Sequence, residues 1–118
     1  MADINGTPGN DTLAGTRGND NINGGPGNDT INGGNGADTL TGGPGADVFV
    51  FGGDTDNAPD KTVVTDYQPG VDHFHHSPYL EWEQSGVDTV RFYDTGTETL
   101  DEVVQVFPAH QFTDADFV

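Results

Sequence analysis

The sequence predicts an all-β chain: a right-handed parallel β-roll, a form of β-helix, closed by a C-terminal β-rich capping region. Two observations predict the roll and a third predicts the cap. Residues 6–50 repeat every nine positions. Each repeat joins a glycine-rich, turn-forming half to a short strand-like half with one inward apolar residue. After residue 57 glycine thins to Gly70, Gly86 and Gly96, and aromatic residues accumulate.

The blocks run from Gly6 to Ala14, Gly15 to Asn23, Gly24 to Asn32, Gly33 to Thr41 and Gly42 to Val50. Asp11, Asp20, Asp29, Asp38 and Asp47 stand at the sixth position, and Leu13, Ile22, Ile31, Leu40 and Phe49 at the eighth. Ile4 continues the apolar register upstream. Positions one, two and four are glycine, as a tight turn with positive φ and close backbone approach requires. Thr7 and Thr16 replace the second glycine in the first two blocks, so these two turns are expected to be the weaker ones. Positions seven to nine suit a three-residue strand whose middle side chain points inward. One block makes a turn and a strand, and two blocks make a coil. Block n then stacks on block n+2, and two parallel sheets face each other across a thin aliphatic core.

That core is small for 118 residues, of which only 31% are hydrophobic. The formal net charge of −17 is a second obstacle, with 20 carboxylates against three basic side chains. Stacking places Asp11, Asp29 and Asp47 on one edge and Asp20 and Asp38 on the other. Carboxylates about 4.8 Å apart repel by roughly 3 kcal/mol per neighbouring pair at a surface-like dielectric. A divalent cation between turns removes that repulsion, and calcium is the oxygen-seeking choice. Folding is therefore expected to be coupled to calcium binding. The same charge excludes nucleic acid and anionic membranes as partners. There is no cysteine, hence no disulfide or thiolate metal site. No apolar run is long enough to span a membrane, and Met1–Asn5 lacks a signal-peptide core, so export is expected to use another route or the chain to be part of a larger one.

The nine-residue pattern resembles the RTX (hemolysin-type) calcium-binding repeat, found in the C-terminal regions of serralysin-type proteases, alginate epimerase R-modules and RTX adhesins. The resemblance implies a ligand set. One turn supplies carbonyls two and four with its aspartate, and the turn eighteen residues later supplies carbonyls one and three with its own. Site one is then Thr7, Gly9, Asp11, Gly24, Pro26 and Asp29. Site two is Thr16, Gly18, Asp20, Gly33, Asn35 and Asp38. Site three is Gly25, Gly27, Asp29, Gly42, Pro44 and Asp47. A fourth would start from Gly34, Gly36 and Asp38 and close on Gly53 and Asp56. A fifth would start from Gly43, Gly45 and Asp47 and close on Asp60. The expectation is about three to five calcium ions.

In the second half, β-like runs stand at Thr62–Tyr67, Val71–His75, Thr89–Tyr93 and Val103–Phe107, with turns at Ser77-Pro78 and Asp94–Gly96. Thr113–Asp116 reads as the start of a helical turn. Val48–Phe51 is continuously apolar, which predicts a strand buried on both faces where a cap packs on the last coil. The organisation expected is a roll over residues 1–56 and a capping, secretion-type region over 57–118. Asp66-Tyr67-Gln68-Pro69-Gly70-Val71-Asp72 resembles the stretch that follows the repeats in secreted RTX proteins, and Ala115–Val118 resembles their C-terminal ending.

Other chemistry is weakly indicated. His73 and His75 alternate on one strand, with His76 and His110 nearby, and surface or hydrogen-bonded histidines explain them better than a transition-metal site. No HExxH or Gly-x-Ser-x-Gly motif is present. Glu81 and Glu83 read as alternating exposed carboxylates rather than a glycosidase pair. No enzymatic activity is expected. The reading is a monomeric, extracellular, calcium-dependent folding and secretion module of a type I-secreted bacterial protein, handled by the type I secretion apparatus. The alternative is a calcium-dependent module binding an extracellular polysaccharide, with Trp82, Tyr79 or Tyr93 as stacking surfaces. Binding of an acidic polysaccharide is disfavoured because the roll carries only Arg17 as a basic residue.

Overall fold

A computed structural model of the chain describes residues 2–51, 60–76, 80–85, 89–94, 100–106 and 111–118. Each repeat folds as its pattern dictates. Three-residue strands β1 (Asp3–Asn5), β2 (Thr12–Ala14), β3 (Asn21–Asn23), β4 (Thr30–Asn32) and β5 (Thr39–Thr41) are followed by β6 (Val48–Phe51). Odd strands join one sheet and even strands the other. β1 pairs with β3 and β3 with β5, β2 with β4 and β4 with β6, all parallel and eighteen residues apart. Ile22, Ile31, Leu40 and Phe49 at the eighth positions are fully buried, and the first two members, Ile4 and Leu13, are only partly covered. Each three-residue strand brings a single inward side chain to the space between the sheets, so packing there contributes through few residues.

The stack continues past the repeats. β7 (Asp60–Val64) lies parallel on β5, with Val63 opposite Thr39 and Val64 opposite Leu40. β8 (His73–His76) lies parallel on β6, with Phe74 opposite Phe49. Both apolar columns therefore gain a fully buried member, Val64 and Phe74. From β7 the first sheet runs on through β11 (Leu100–Val106, parallel to β7), β10 (Thr89–Asp94) and β9 (Leu80–Ser85), the last two pairings antiparallel. Sheet and cap thus share one hydrogen-bonded ladder. The second sheet ends at β8, where Phe117 adds a parallel bridge to Phe74.

The core changes from aliphatic to aromatic towards this end. Phe51 stacks on Phe92 at 5.2 Å, Tyr67 and Phe112 both meet Phe74, and Trp82 stacks on Phe117 at 4.6 Å. Such ring pairs add to area burial through their edge and face geometry. A single 3-10 turn (Asp114–Asp116) carries a capping box between Thr113 and Asp116 and sets the final residues against β8.

Three expectations change. β6 is buried on one face only: Phe49 and Phe51 are inside, but Val48 and Val50 stay half-exposed, beside His73 and His75 of β8. β6 is not a terminal strand, so it needs no cover on its outer face. β9 was not expected as a strand, because the alternation of Leu80, Trp82 and Gln84 with Glu81 and Glu83 reads first as a charged surface. The runs at 62–67 and 71–75 become β7 and β8 with a turn between them that contains Gly70 at φ 79. The turns expected at Ser77-Pro78 and Thr95-Gly96 lie outside the described residues.

Candidate metal centre

The turn from Gly24 to Asp29 shows how the site is built. Gly25 and Gly27 sit at φ 81 and 109, where side-chain-bearing residues are strained. A Cβ on Gly27 would lie 2.6 Å from Gly9 O, and one on Gly25 3.2 Å from Thr7 O, so carbonyls two and four of the lower turn press directly on the upper one. A Cβ on Gly24 would meet Asp29 Oδ2 at 2.5 Å and Gly42 O at 2.8 Å. Glycine at position one therefore makes room for the turn's own carboxylate and for a carbonyl from the turn above. Gly34 and Gly36 repeat this over Thr16 O and Gly18 O, and Gly43 and Gly45 over Gly25 O and Gly27 O. The asparagines at position five brace the same stack, Asn28 N–H donating to Asn10 Oδ1 at 2.7 Å and Ala46 N–H to Asn28 Oδ1 at 2.8 Å.

The aspartates form two ladders. On one edge Asp11 N–H donates to Asp29 Oδ1 at 2.8 Å, and Asp29 N–H to Asp47 Oδ1 at 2.9 Å. On the other, Asp20 N–H donates to Asp38 Oδ1 at 2.8 Å. One carboxylate oxygen each of Asp29, Asp38 and Asp47 is thereby spent on the ladder. The Oδ2 atoms of Asp29 and Asp47 are buried and have no hydrogen-bond partner among the described residues. A buried carboxylate oxygen left bare is costly. Burial, reinforced by Asp72, Asp29 and Asp66, pushes the Asp47 carboxyl up to about 7 despite its hydrogen bond from Asp29. Bare carboxylate oxygens converging with backbone carbonyls, in a chain of net charge −17, fit an oxygen-coordinated divalent cation. Among the described residues no three His, Cys, Asp or Glu side chains are grouped to hold a metal ion.

Thr7 and Thr16 do not loosen their turns. Each hydroxyl donates to its own turn's aspartate, Thr7 to Asp11 Oδ1 and Thr16 to Asp20 Oδ1, both at 2.8 Å. Burial opposes the Asp20 charge, but the Thr16 and Ala2 hydrogen bonds outweigh it and hold that carboxyl below the usual range.

Beyond the repeats the ladder partners differ from those expected. The residue over Asp47 is Asp72, whose Oδ1 accepts Asp47 N–H at 2.9 Å, and not Asp60, which opens β7 opposite Glu102 of β11. Over Asp38 stands Thr62, with its Oγ1 3.5 Å from Asp38 N. Gly53 and Asp56 lie outside the described residues. Asp66 covers the last glycine turn, accepting Gly42 N–H on Oδ1 at 2.9 Å and Gly43 N–H on Oδ2 at 2.7 Å. Residues 67–75 are thus a degenerate sixth block, with Gly70, Asp72 and Phe74 in the register of Gly45, Asp47 and Phe49. That spacing was the available signal, obscured because Tyr67 and Gln68 stand where glycines belong and the offset is 25 rather than 18 residues. Burial raises the Asp72 carboxyl too, with Asp66 adding to the effect.

His73 N–H donates to Asp47 O at 2.9 Å, whereas His75 and His76 are held by the C-terminal residues and the aromatic core. His75 Nδ1 lies 2.9 Å from Val118 O, and His76 packs on Phe92 and Phe117. His110 lies outside the described residues.

Comparison with known proteins agrees with the geometry. The RTX calcium-binding nonapeptide repeat (4 copies) matches residues 5–40 and 24–58. No curated protein matches the chain. Among solved structures, the AlgE6R2 subunit of the Azotobacter vinelandii mannuronan C5-epimerase is similar over 98% of this chain and 91% of that one, at 22% identity and a TM-score of 0.55, a likeness of fold. The AlgE6R3 subunit of the same enzyme aligns over 96% of this chain and 82% of its own, at 21% identity and a TM-score of 0.38. Repeat register, carbonyl and carboxylate geometry and family match coincide over residues 5–58, and this part of the chain consists of RTX calcium-binding nonapeptide repeats.

Proposed function

We propose that the chain is a non-catalytic module that folds when calcium binds between its turns, and that it serves a protein exported by type I secretion. The observation that carries this reading is the pair of buried, partnerless carboxylate oxygens on Asp29 and Asp47. Calcium, when bound, supplies the positive charge that lets stacked carboxylates lie about 4.8 Å apart. The chain's own residues do the rest. Gly24–Gly27 and its equivalents aim carbonyls between turns, and the aspartates set the spacing. Ligands are assigned as Thr7, Gly9, Asp11, Gly24, Pro26 and Asp29; Thr16, Gly18, Asp20, Gly33, Asn35 and Asp38; and Gly25, Gly27, Asp29, Gly42, Pro44 and Asp47. The two edges, over Asp38 and over Asp47, are closed by Thr62 and Asp72 rather than by the repeats. We place the capping function in residues 57–118, where Tyr67, Phe74 and Phe112 seal the end of the core.

Scarce cytosolic calcium would leave such a chain unfolded and able to thread a channel, and extracellular calcium would fold it, which suits affinities of about 10⁻⁴–10⁻³ M. Far-UV circular dichroism in chelator and in millimolar calcium tests this. A transition from coil to β is expected, and identical spectra would refute the proposal. A glycan-binding role has less support, because Trp82 gives a face to Phe117 and the roll has only Arg17 for an acidic sugar. Calcium-dependent retention on a glycan array would reverse that preference.

A further inference from the structure

The five repeat turns adopt two conformations. In the three later turns the second-position glycines Gly25, Gly34 and Gly43 have φ of 81, 79 and 86, and the fourth-position glycines are positive as well. Their second-position amides point away from the aspartate: Gly25 N–H donates to Asn23 Oδ1 at 3.1 Å and Gly34 N–H to Asn32 Oδ1 at 3.0 Å. In the first two turns Gly9 and Gly18 are not in the positive-φ region. There the second-position amide turns inward, Thr7 N–H donating to Asp11 Oδ2 at 2.7 Å and Thr16 N–H to Asp20 Oδ2 at 2.6 Å. The hydroxyls complete a two-point grip on each carboxylate, and each also accepts an amide, from Gly9 and Gly18, at 3.2 Å.

We infer that Thr7 and Thr16 are clasps that hold Asp11 and Asp20 without a cation, and that they divide the array into a clasped start of low calcium affinity and a remainder that requires the ion. The inference rests on the calcium reading above. It follows from what an ion must undo. Opening a clasped turn to the glycine-turn geometry gives up two hydrogen bonds to a charged carboxylate. It also drives a β-branched residue to positive φ, where such residues are outliers. Glycine carries neither cost. Loss of even one charge-assisted hydrogen bond corresponds to about tenfold in a binding constant.

Calorimetric calcium titration of the whole chain decides it. The wild type is expected to show a tight class, from the turns that begin at Gly24, and a weak class involving Asp11 and Asp20. The double variant T7G/T16G restores the consensus turn and is expected to tighten the weak class by about tenfold or more, leaving the tight class in place. The variant T7S/T16S keeps both hydroxyls and is expected to stay near the wild type. D11N/D20N is expected to remove the weak class alone. The inference is overturned if T7G/T16G leaves the weak class unchanged, or if D11N/D20N abolishes the tight one. A wild type that binds no calcium overturns instead the functional reading beneath it, and the division of the array with it.

Discussion

Asp47 N–H donates to Asp72 Oδ1 at 2.9 Å, so the aspartate ladder of the repeats is continued by a residue from outside them. The same carboxylate takes Gln68 N–H on its Oδ2 at 2.8 Å, closing its own turn. Asp72 is therefore where the last repeat and the cap are joined.

Replacing that join should be costly. Asp72→Ala leaves the buried Asp47 amide without its acceptor, a loss of roughly 1–3 kcal/mol. Thermal melting in millimolar calcium should show a lower midpoint for Asp72→Ala and little change for Asp60→Ala. Equal effects of the two substitutions would mean that the ladder does not run through Asp72.

The glycine turns offer a graded test of steric demand. Gly27→Ala must adopt φ 109 and also meet Gly9 O, whereas Gly70→Ala must adopt φ 79 with open space around the new methyl. The second should cost about 1–2 kcal/mol, the usual left-handed penalty, and the first distinctly more. Denaturant melts in calcium measure both, and a reversed order would contradict the close stacking of turns.

Stability should depend on pH in opposite senses with and without calcium. The Asp47 carboxyl titrates near 3.8 when free and is pushed up to about 7 in the fold. Between those values the folded state holds the proton more tightly, so this contribution is complete below about 4 and is lost as pH rises to about 7. The metal-free fold should therefore gain stability from pH 8 to pH 5. Calcium needs the ionised carboxylate, so its affinity should fall over the same range. Far-UV circular dichroism of the metal-free protein, whose β content should rise from pH 8 to pH 5, and calcium titration at both pH values check the two signs.

Tyr67 ties the terminal segment to this join. Its hydroxyl lies within hydrogen-bond distance of Asp72 O at 3.0 Å and Asp116 Oδ1 at 2.8 Å, and burial raises its own ionisation above the usual phenol range. Tyr67→Phe keeps the ring packing and removes the tie, with an expected cost of about 1–3 kcal/mol. Trp82, stacked on Phe117, is the natural reporter, and its fluorescence should shift in the variant before the roll melts. An unchanged unfolding curve would show that the rings alone dock residues 111–118.

The repeats were fully legible in the sequence because each residue answers a local demand. Glycine meets positive φ, aspartate supplies a short carboxylate, and Leu13, Ile22, Ile31, Leu40 and Phe49 mark the inward face at a fixed period. A fixed period implies a fixed stacking partner, so the two edges could be named without coordinates, whereas the carbonyl donors were implied by the resemblance to the RTX repeat. Where the period failed, the partners could not be named. Asp66, Asp72 and Thr62 reach the last coil only because residues 60–76 return to the stack after a break of irregular length, and no local pattern records the length of such a return. The same holds for the threonine turns. The sequence shows that glycine is missing, but only the folded turn shows the hydroxyl proton meeting the carboxylate. Periodic, local geometry determined the roll. Long-range closure, where one side chain stands in for a missing turn, was decided by the tertiary structure.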